Sequence, residues 1–262
     1  MKVEVRGVGW EVEDHGEGVP LLLIHGFPLS SEIWRPIRPA LEQVARVITP
    51  DLRGFGESDA EGGDYDVRSY TTDVIALLDL LGIERAVIGG HSMGGYIAQR
   101  CAAEHRERLL GLLLVSTRAS GDGQEARARR NAAIDHIRRQ GSAEFLASFV
   151  PKLIGPSTRE RAPRFADELA SLAAEVPDHV LIGCLAGMRD RPDFTADLPG
   201  IDVPALVLVG DEDSVTPLED ARLMAQLLPR ATLAVIPGAG HTPSIERPIA
   251  TSEAIARFVR EV

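Results

Sequence analysis

Eight short apolar runs, most of them bounded by glycine or proline, punctuate this chain and alternate with longer stretches of helical periodicity. They are Val3–Val8, Trp10–Glu13, Pro20–Ile24, Val44–Thr49, Arg85–Ile88, Leu109–Ser116, Ala205–Val209 and Thr232–Ile236. Such alternation leaves few packings open. The runs have the length of strands, and strands this apolar need helices to cover them. The pattern predicts an α/β fold built on an eight-stranded, mostly parallel sheet with helices on both faces.

Within the helical stretches, Val74, Leu77, Leu78 and Leu81 recur at the spacing of one helix face, with Gly82 placed to end the helix. Ile255, Phe258, Val259 and Val262 repeat the stripe. Both stripes are expected to pack on the sheet. The rhythm changes between Arg118 and Pro199. No strand candidate occurs there, and Gly141, Gly155–Pro156 and Pro177 divide the segment into four expected helices. A helical block between two sheet strands reads as a lid over one end of the sheet. The expected organisation is a core formed by residues 1–117 and 199–262, with 118–198 inserted as a helical cap.

The composition is that of an ordinary globular chain: 262 residues, 44% hydrophobic, 26% charged, net charge −11. So acidic a chain is not expected to bind nucleic acid, whose phosphates need clustered cations. Arg127, Arg129, Arg130, Arg138 and Arg139 form the one basic run, and their helical spacing reads as a solvated face. The opening residues MKVEVRGV alternate as an edge strand does and lack the apolar core of a signal peptide. No apolar run approaches the ~20 residues of a membrane span, so no membrane contact is expected and the cytoplasm is the expected compartment. Cys101 and Cys184 are expected to be small buried thiols.

The strongest local signal is Gly90-His91-Ser92-Met93-Gly94, which follows the apolar Ala86-Val87-Ile88-Gly89 and leads into the helical Gly95-Tyr96-Ile97-Ala98-Gln99. A G-x-S-x-G segment at a strand-to-helix turn holds its serine at the apex of a strained bend. Side chains at the glycine positions would collide with neighbouring elements. The helix behind the serine aims N–H groups and its positive dipole end at charge developing there. Ser92 is thus a candidate nucleophile, while His91, beside it in a sharp turn, points elsewhere and reads as structural. His25-Gly26-Phe27-Pro28 follows the run Leu21–Ile24. A loop in that place can lend an N–H to an oxyanion hole, Phe27 giving one and Met93 the other. His25 reads as a residue that orients this loop.

Two further loops follow later strands. Val209 gives way to Gly210-Asp211-Glu212-Asp213, and Ile236 to Pro237-Gly238-Ala239-Gly240-His241. A carboxylate just past a strand end can hold an imidazole in one tautomer and stabilise its charged form, and a histidine on a glycine-rich loop can reach a serine. Asp213 has cleared the sheet edge, whereas Asp211 lies close enough to it to bond the turn's own N–H groups. Asp213 is the preferred acid and Asp211 the alternative. Each candidate follows its own strand, in the order serine, acid, histidine, so all should converge at one end of the parallel sheet.

With these segments the chain resembles the α/β-hydrolase fold family over essentially its whole length. Asp51-Leu52-Arg53-Gly54-Phe55-Gly56-Glu57-Ser58 is similar to that family's D-x-R-G-x-G-x-S turn, which shapes the site wall and gives Asp51, Arg53 and Ser58 structural roles. Gly210-x-x-Asp213-x-x-x-Pro217 is similar to the acid loop of its esterases, in which the Asp three after the Gly is the triad member. The compact length, modest cap and H-S-M-G-G run look most like small carboxylesterases, enol-lactonases and cofactor-free haloperoxidase/perhydrolase-type enzymes. Phe27 stands where the last group carries Trp.

The resemblance implies a Ser92–His241–Asp213 triad, an oxyanion hole from the Phe27 and Met93 N–H groups, and a small-molecule ester or lactone cleaved through an acyl-enzyme. It implies neither a cofactor nor a metal, and no run of the sequence has metal-ligand spacing. Serine in place of aspartate at position 92 sets the chain apart from haloalkane dehalogenases and epoxide hydrolases. Carbon–carbon bond hydrolases and hydroxynitrile lyases share such a triad and stand as alternatives. Non-catalytic receptors share the fold, but a complete triad weighs against that reading. Leu146, Phe149 and Met188, with Leu153 and Cys184, are candidate pocket residues that fit packing of the cap helices equally well, and Trp34 is a candidate that either borders the site or anchors the loop after Leu21–Ile24.

Overall fold

The computed structural model describes residues 1–61 and 64–262. Its strands are β1 (Lys2–Val5), β2 (Val8–His15), β3 (Pro20–Ile24), β4 (Arg46–Pro50), β5 (Ala86–His91), β6 (Leu109–Val115), β7 (Ala205–Gly210) and β8 (Ala231–Ile236). They form one sheet in the order β1-β2-β4-β3-β5-β6-β7-β8. The β1/β2 and β2/β4 pairs are antiparallel and the rest parallel. Every residue of β5 and β7 is buried. Successive side chains of a strand point to opposite faces, so the middle of the sheet is covered on both.

The first expected strand is broken. Val5 pairs with Val8 across a two-residue hairpin in which Arg6 (φ 52°) and Gly7 (φ 82°) are both left-handed. That turn has the twist the flanking strands require. The second strand accordingly starts at Val8 and runs to His15, beyond the Trp10–Glu13 read from alternation.

The helices are α1 (Arg38–Leu41), α2 (Val67–Leu80), α3 (Met93–Glu104), α4 (Gln124–Gln140), α5 (Ala143–Phe149), α6 (Pro156–Arg161), α7 (Arg164–Ala174), α8 (Asp178–Asp190), α9 (Leu218–Leu227), α10 (Pro243–Glu246) and α11 (Pro248–Arg260). The stripe of α2 is buried through Val74, Leu77 and Leu78, and the Ile83 N–H closes on the Leu78 carbonyl at 2.8 Å to end the helix. Five α-helices, not four, lie between β6 and β7. The extra break falls at Ala162-Pro163, where the proline ring lacks an N–H and pushes Ala162 out of helical conformation (φ −146°, ψ 68°). No single helix among the described residues is long and apolar enough to cross a membrane.

Two features fasten these five helices to α2 and α3. α8 passes so close to the start of α2 that a Cβ on Gly183 would meet the Tyr65 ring at 2.7 Å and one on Gly187 the Asp66 Cα at 2.6 Å. The chain before α4 and the chain after α8 meet at Arg191, whose buried guanidinium donates to Asp122 Oδ1 (2.6 Å) and to the carbonyls of Met188 (2.6 Å) and Ser120 (2.8 Å). The same group lies 4.1 Å from the centre of the Tyr96 ring on α3. Arg127, Arg129, Arg130 and Arg138 of α4 are each ion-paired with a carboxylate.

The register sets the scene for chemistry. Ile24 lies beside Gly90, His91 beside Val115, and Gly210 beside Ile236. The loops after β3, β5, β7 and β8 therefore leave from one end of the sheet, where open α/β sheets bind their ligands.

Candidate active site

Ser92 sits between β5 and α3 at φ 51° and ψ −111°, a conformation costing on the order of 1–3 kcal/mol that only a tightly determined turn retains. The surroundings determine it. The Ser92 N–H donates to the Val115 carbonyl (2.9 Å), and the Thr117 hydroxyl donates to the Ser92 carbonyl (2.8 Å). A Cβ on Gly90 would run into the Gly94 carbonyl, and one on Gly94 into the Ile24 carbonyl. Met93 is the first residue of α3, so its N–H stands at the positive end of the helix dipole.

Asp213 and His241 meet side chain to side chain beyond the ends of β7 and β8. His241 Nδ1 donates to Asp213 Oδ2 at 2.9 Å, and both side chains are buried. The other carboxylate oxygen accepts the N–H groups of Val215 (2.8 Å) and Thr216 (2.9 Å), and the Thr216 hydroxyl donates to Oδ2 (2.7 Å). Burial pulls the Asp213 pKa up, but the His241 charge and these hydrogen bonds outweigh it and hold the carboxyl well below its ordinary range. With Nδ1 committed to Asp213, the basic nitrogen is Nε2, which is buried and has no partner among the described residues. Asp211 is differently employed. It accepts the Gly238 N–H at 2.6 Å and so braces the neighbouring loop, where bonding within its own turn was expected.

The other two histidines near the site are held neutral. The His91 ring lies 4.8 Å from that of His241 and donates Nε2–H to the His241 carbonyl (2.7 Å). Burial and the His241 charge push its pKa down to about 3. His25 donates Nδ1–H to the Gly26 carbonyl (3.1 Å) and accepts the Leu52 N–H on Nε2 (2.9 Å), so it ties the loop after β3 to the 51–58 turn. Burial lowers its pKa as well. In that turn Asp51 accepts the N–H groups of Ser31 (2.8 Å) and Glu57 (3.0 Å), Ser58 donates to the Asp51 carbonyl (2.7 Å), and Arg53 pairs with Asp73 (2.7 Å).

The candidate pocket residues separate into two groups. Phe149 and Phe145 of α5 stack with centroids 5.6 Å apart, and both face the Phe27 ring, at 6.0 and 6.4 Å. Both α5 rings are half-buried. Trp34 is wholly buried and meets the His91 ring edge-on at 6.3 Å, while Leu146 and Leu153 are core residues. Met188 lies at the neck of the insertion against Arg130, and Cys184 contacts the Tyr70 hydroxyl at 3.4 Å. Both cysteines are free and buried, which pushes their thiols up to about 12.

Two side chains that the sequence analysis passed over are prominent in the structure. Thr216 could have been found, because a threonine following an aspartate in a turn is a common capping signal. Glu246 could not. It is buried just after His241, and its carboxylate accepts the N–H of Gly240 nearby together with that of Gly155, distant in sequence.

A family model described as the alpha/beta hydrolase fold matches residues 19–248. The chain is 30% identical over 215 residues to 3-oxoadipate enol-lactonase 2 of Acinetobacter baylyi, covering 82% of this chain and 78% of that protein. A thermophilic esterase from Thermogutta terrifontis superposes with a TM-score of 0.94 at 36% identity, covering 100% of this chain and 98% of the other. The enol-lactonase from Burkholderia xenovorans LB400 superposes with a TM-score of 0.91 at 26% identity, covering 99% and 100%. By its sheet order, by the serine bend that follows β5 and by these likenesses, the chain belongs to the α/β-hydrolase fold family.

Proposed function

We propose that this protein hydrolyses carboxylic esters of small acyl or aryl type, lactones included, through an acyl-enzyme on Ser92. The observation that carries this reading is the buried Asp213–His241 pair, with Nε2 left free at the sheet end that also bears the Ser92 bend. In the proposed reaction Ser92 Oγ attacks the ester carbonyl carbon and passes its proton to His241 Nε2. The oxyanion is held by the N–H groups of Phe27 and Met93. Collapse of the tetrahedral intermediate breaks the bond to the alcohol oxygen, which leaves with the proton from His241. Water then adds to the acyl-enzyme by the same route in reverse, releasing the acid and restoring Ser92. Asp213 holds one imidazole tautomer and offsets the positive charge while it lasts.

The helices between β6 and β7 act in this reading as a cap. Phe145 and Phe149 pack against the residue that supplies one oxyanion N–H, which places apolar surface where an acyl or aryl group would lie. The test is covalent labelling. An organophosphate should give a single adduct, on the peptide containing Ser92, and Ser92→Ala should abolish both labelling and esterase turnover while the fold is retained. Inhibition with Ser92 unmodified would falsify the assignment.

A further inference from the structure

Glu246, at the end of α10, is 2% exposed, and the guanidinium groups of Arg161 and Arg247 donate to its backbone carbonyl rather than to its carboxylate. Its carboxylate is instead surrounded by hydrogen-bond donors from two stretches of chain, the histidine loop and the start of α6. Oε2 accepts the N–H groups of Gly240 (2.9 Å) and Gly155 (2.9 Å). Oε1 accepts the Thr242 N–H (3.0 Å) and lies 3.2 Å from the Thr242 hydroxyl, whose single proton is shared with the Leu153 carbonyl at 3.1 Å. The peptide N–H groups immediately before and after His241 thus end on one carboxylate. The His241 carbonyl is fixed from the opposite side by His91. Hydrogen bonds to an ionised acceptor are short and strong, and three converging N–H groups leave the loop little freedom to slide.

A second carboxylate repeats the arrangement one loop away. Glu212, next to Asp213, accepts the N–H of Ser157 at 2.9 Å and also its hydroxyl. The Glu212 N–H in turn donates to the Ala239 carbonyl in the histidine loop (2.9 Å). The segment from Leu153 to Ser157, which belongs to the inserted helices, is therefore tied to the acid loop through Glu212 and to the histidine loop through Glu246.

We infer that Glu246 is a positioning residue that sets where His241 Nε2 lies, and that it makes this placement depend on the inserted 153–157 segment. The inference rests on the reading of Ser92, His241 and Asp213 as the reacting groups. Glutamine is the informative substitute because it is nearly isosteric. Whichever way its amide turns, an NH₂ faces at least one backbone N–H, so one side of the bracket must move. Misplacement of a catalytic group by about 1 Å costs on the order of 10²-fold in rate.

The experiment compares wild type and Glu246→Gln with a small activated ester, counting active sites by the endpoint of organophosphate labelling at Ser92. The inference predicts that kcat per labelled site falls about ten- to a hundred-fold, with KM within about two-fold. The rate constant of labelling should fall in parallel, since it reports the same serine–histidine contact. A loss of labelled sites with normal kcat per remaining site would mean a purely structural role and would overturn the inference. Should Glu246→Gln not fold, Glu246→Asp, which keeps the charge and shortens the reach, takes its place under the same criterion. Failure of wild type to label at Ser92 would instead overturn the proposed reaction, so the two outcomes are distinct.

Discussion

Replacing His91 by Gln isolates one buried proton site. The imidazole is fully buried, its pKa is held at about 3 against an ordinary 6.5, and its Nε2–H donates to the His241 carbonyl. In the unfolded chain the ring takes up a proton as pH falls through about 6.5, whereas the folded chain refuses it until near 3. Between those values the unfolded state binds more protons, so stability is fully present above 6.5 and declines as pH falls. At pH 5, about 1.5 pH units below the unfolded value, the loss is about 2 kcal/mol at ~1.4 kcal/mol per unit. Glutamine can still offer an N–H to the same carbonyl, but it does not titrate. Urea unfolding from pH 7.5 to 5 should therefore show a loss of stability about 2 kcal/mol smaller in His91→Gln than in wild type. His25 and the carboxylates titrate in both proteins and cancel in the difference. Two curves that stay parallel across this range would refute the argument.

Asp213→Asn should preserve the shape of the site but favour the wrong His241 tautomer, lowering kcat by up to about 10⁴. Asp211→Asn should leave kcat within about three-fold and lower stability by at most about 1 kcal/mol, since the amide oxygen can still accept the Gly238 N–H. Steady-state kinetics and urea melts on both variants check this pair, and the reverse pattern would make Asp211 the acid. Phe145→Ala and Phe149→Ala should each lower kcat/KM for aryl-acyl esters about ten-fold, the worth of an aromatic contact, while acetate esters change by less than two-fold. Equal losses on both substrates, measured side by side, would remove these rings from substrate recognition.

Where the sequence was legible, backbone demands selected particular residues. The elbow could be read because a Cβ at position 90 or 94 has nowhere to go, and β5 and β7 because strands buried on both faces admit almost only apolar residues. Arg6 shows the opposite case. Its left-handed turn was hidden because arginine carries no turn signal, and only Gly7 hinted at it. Pro163 was visible in the sequence, yet its effect depended on whether the chain around it was helical on both sides. The pairing of Asp213 with His241 follows from strand order, but the role of Glu246 does not. Its donors, Gly155 and Gly240, meet only after the inserted helices fold back, and no local pattern encodes that meeting.

The clasp at Arg191 bears on how such a scaffold can change. Because one guanidinium joins Ser120 and Asp122 to the chain leaving α8, the sheet sees the insertion as a closed loop whose two feet stand together. Closing a loop costs entropy that grows only with the logarithm of its length, about 0.6 kcal/mol for each doubling. The sheet is thus nearly indifferent to how much chain hangs between those feet. Lengthening, shortening or exchanging the helices beyond the clasp leaves the strand register untouched, provided Asp122, Arg191 and the Tyr96 ring beneath them are kept. In such an exchange the segment 153–157 would have to be supplied again, since the histidine loop leans on it.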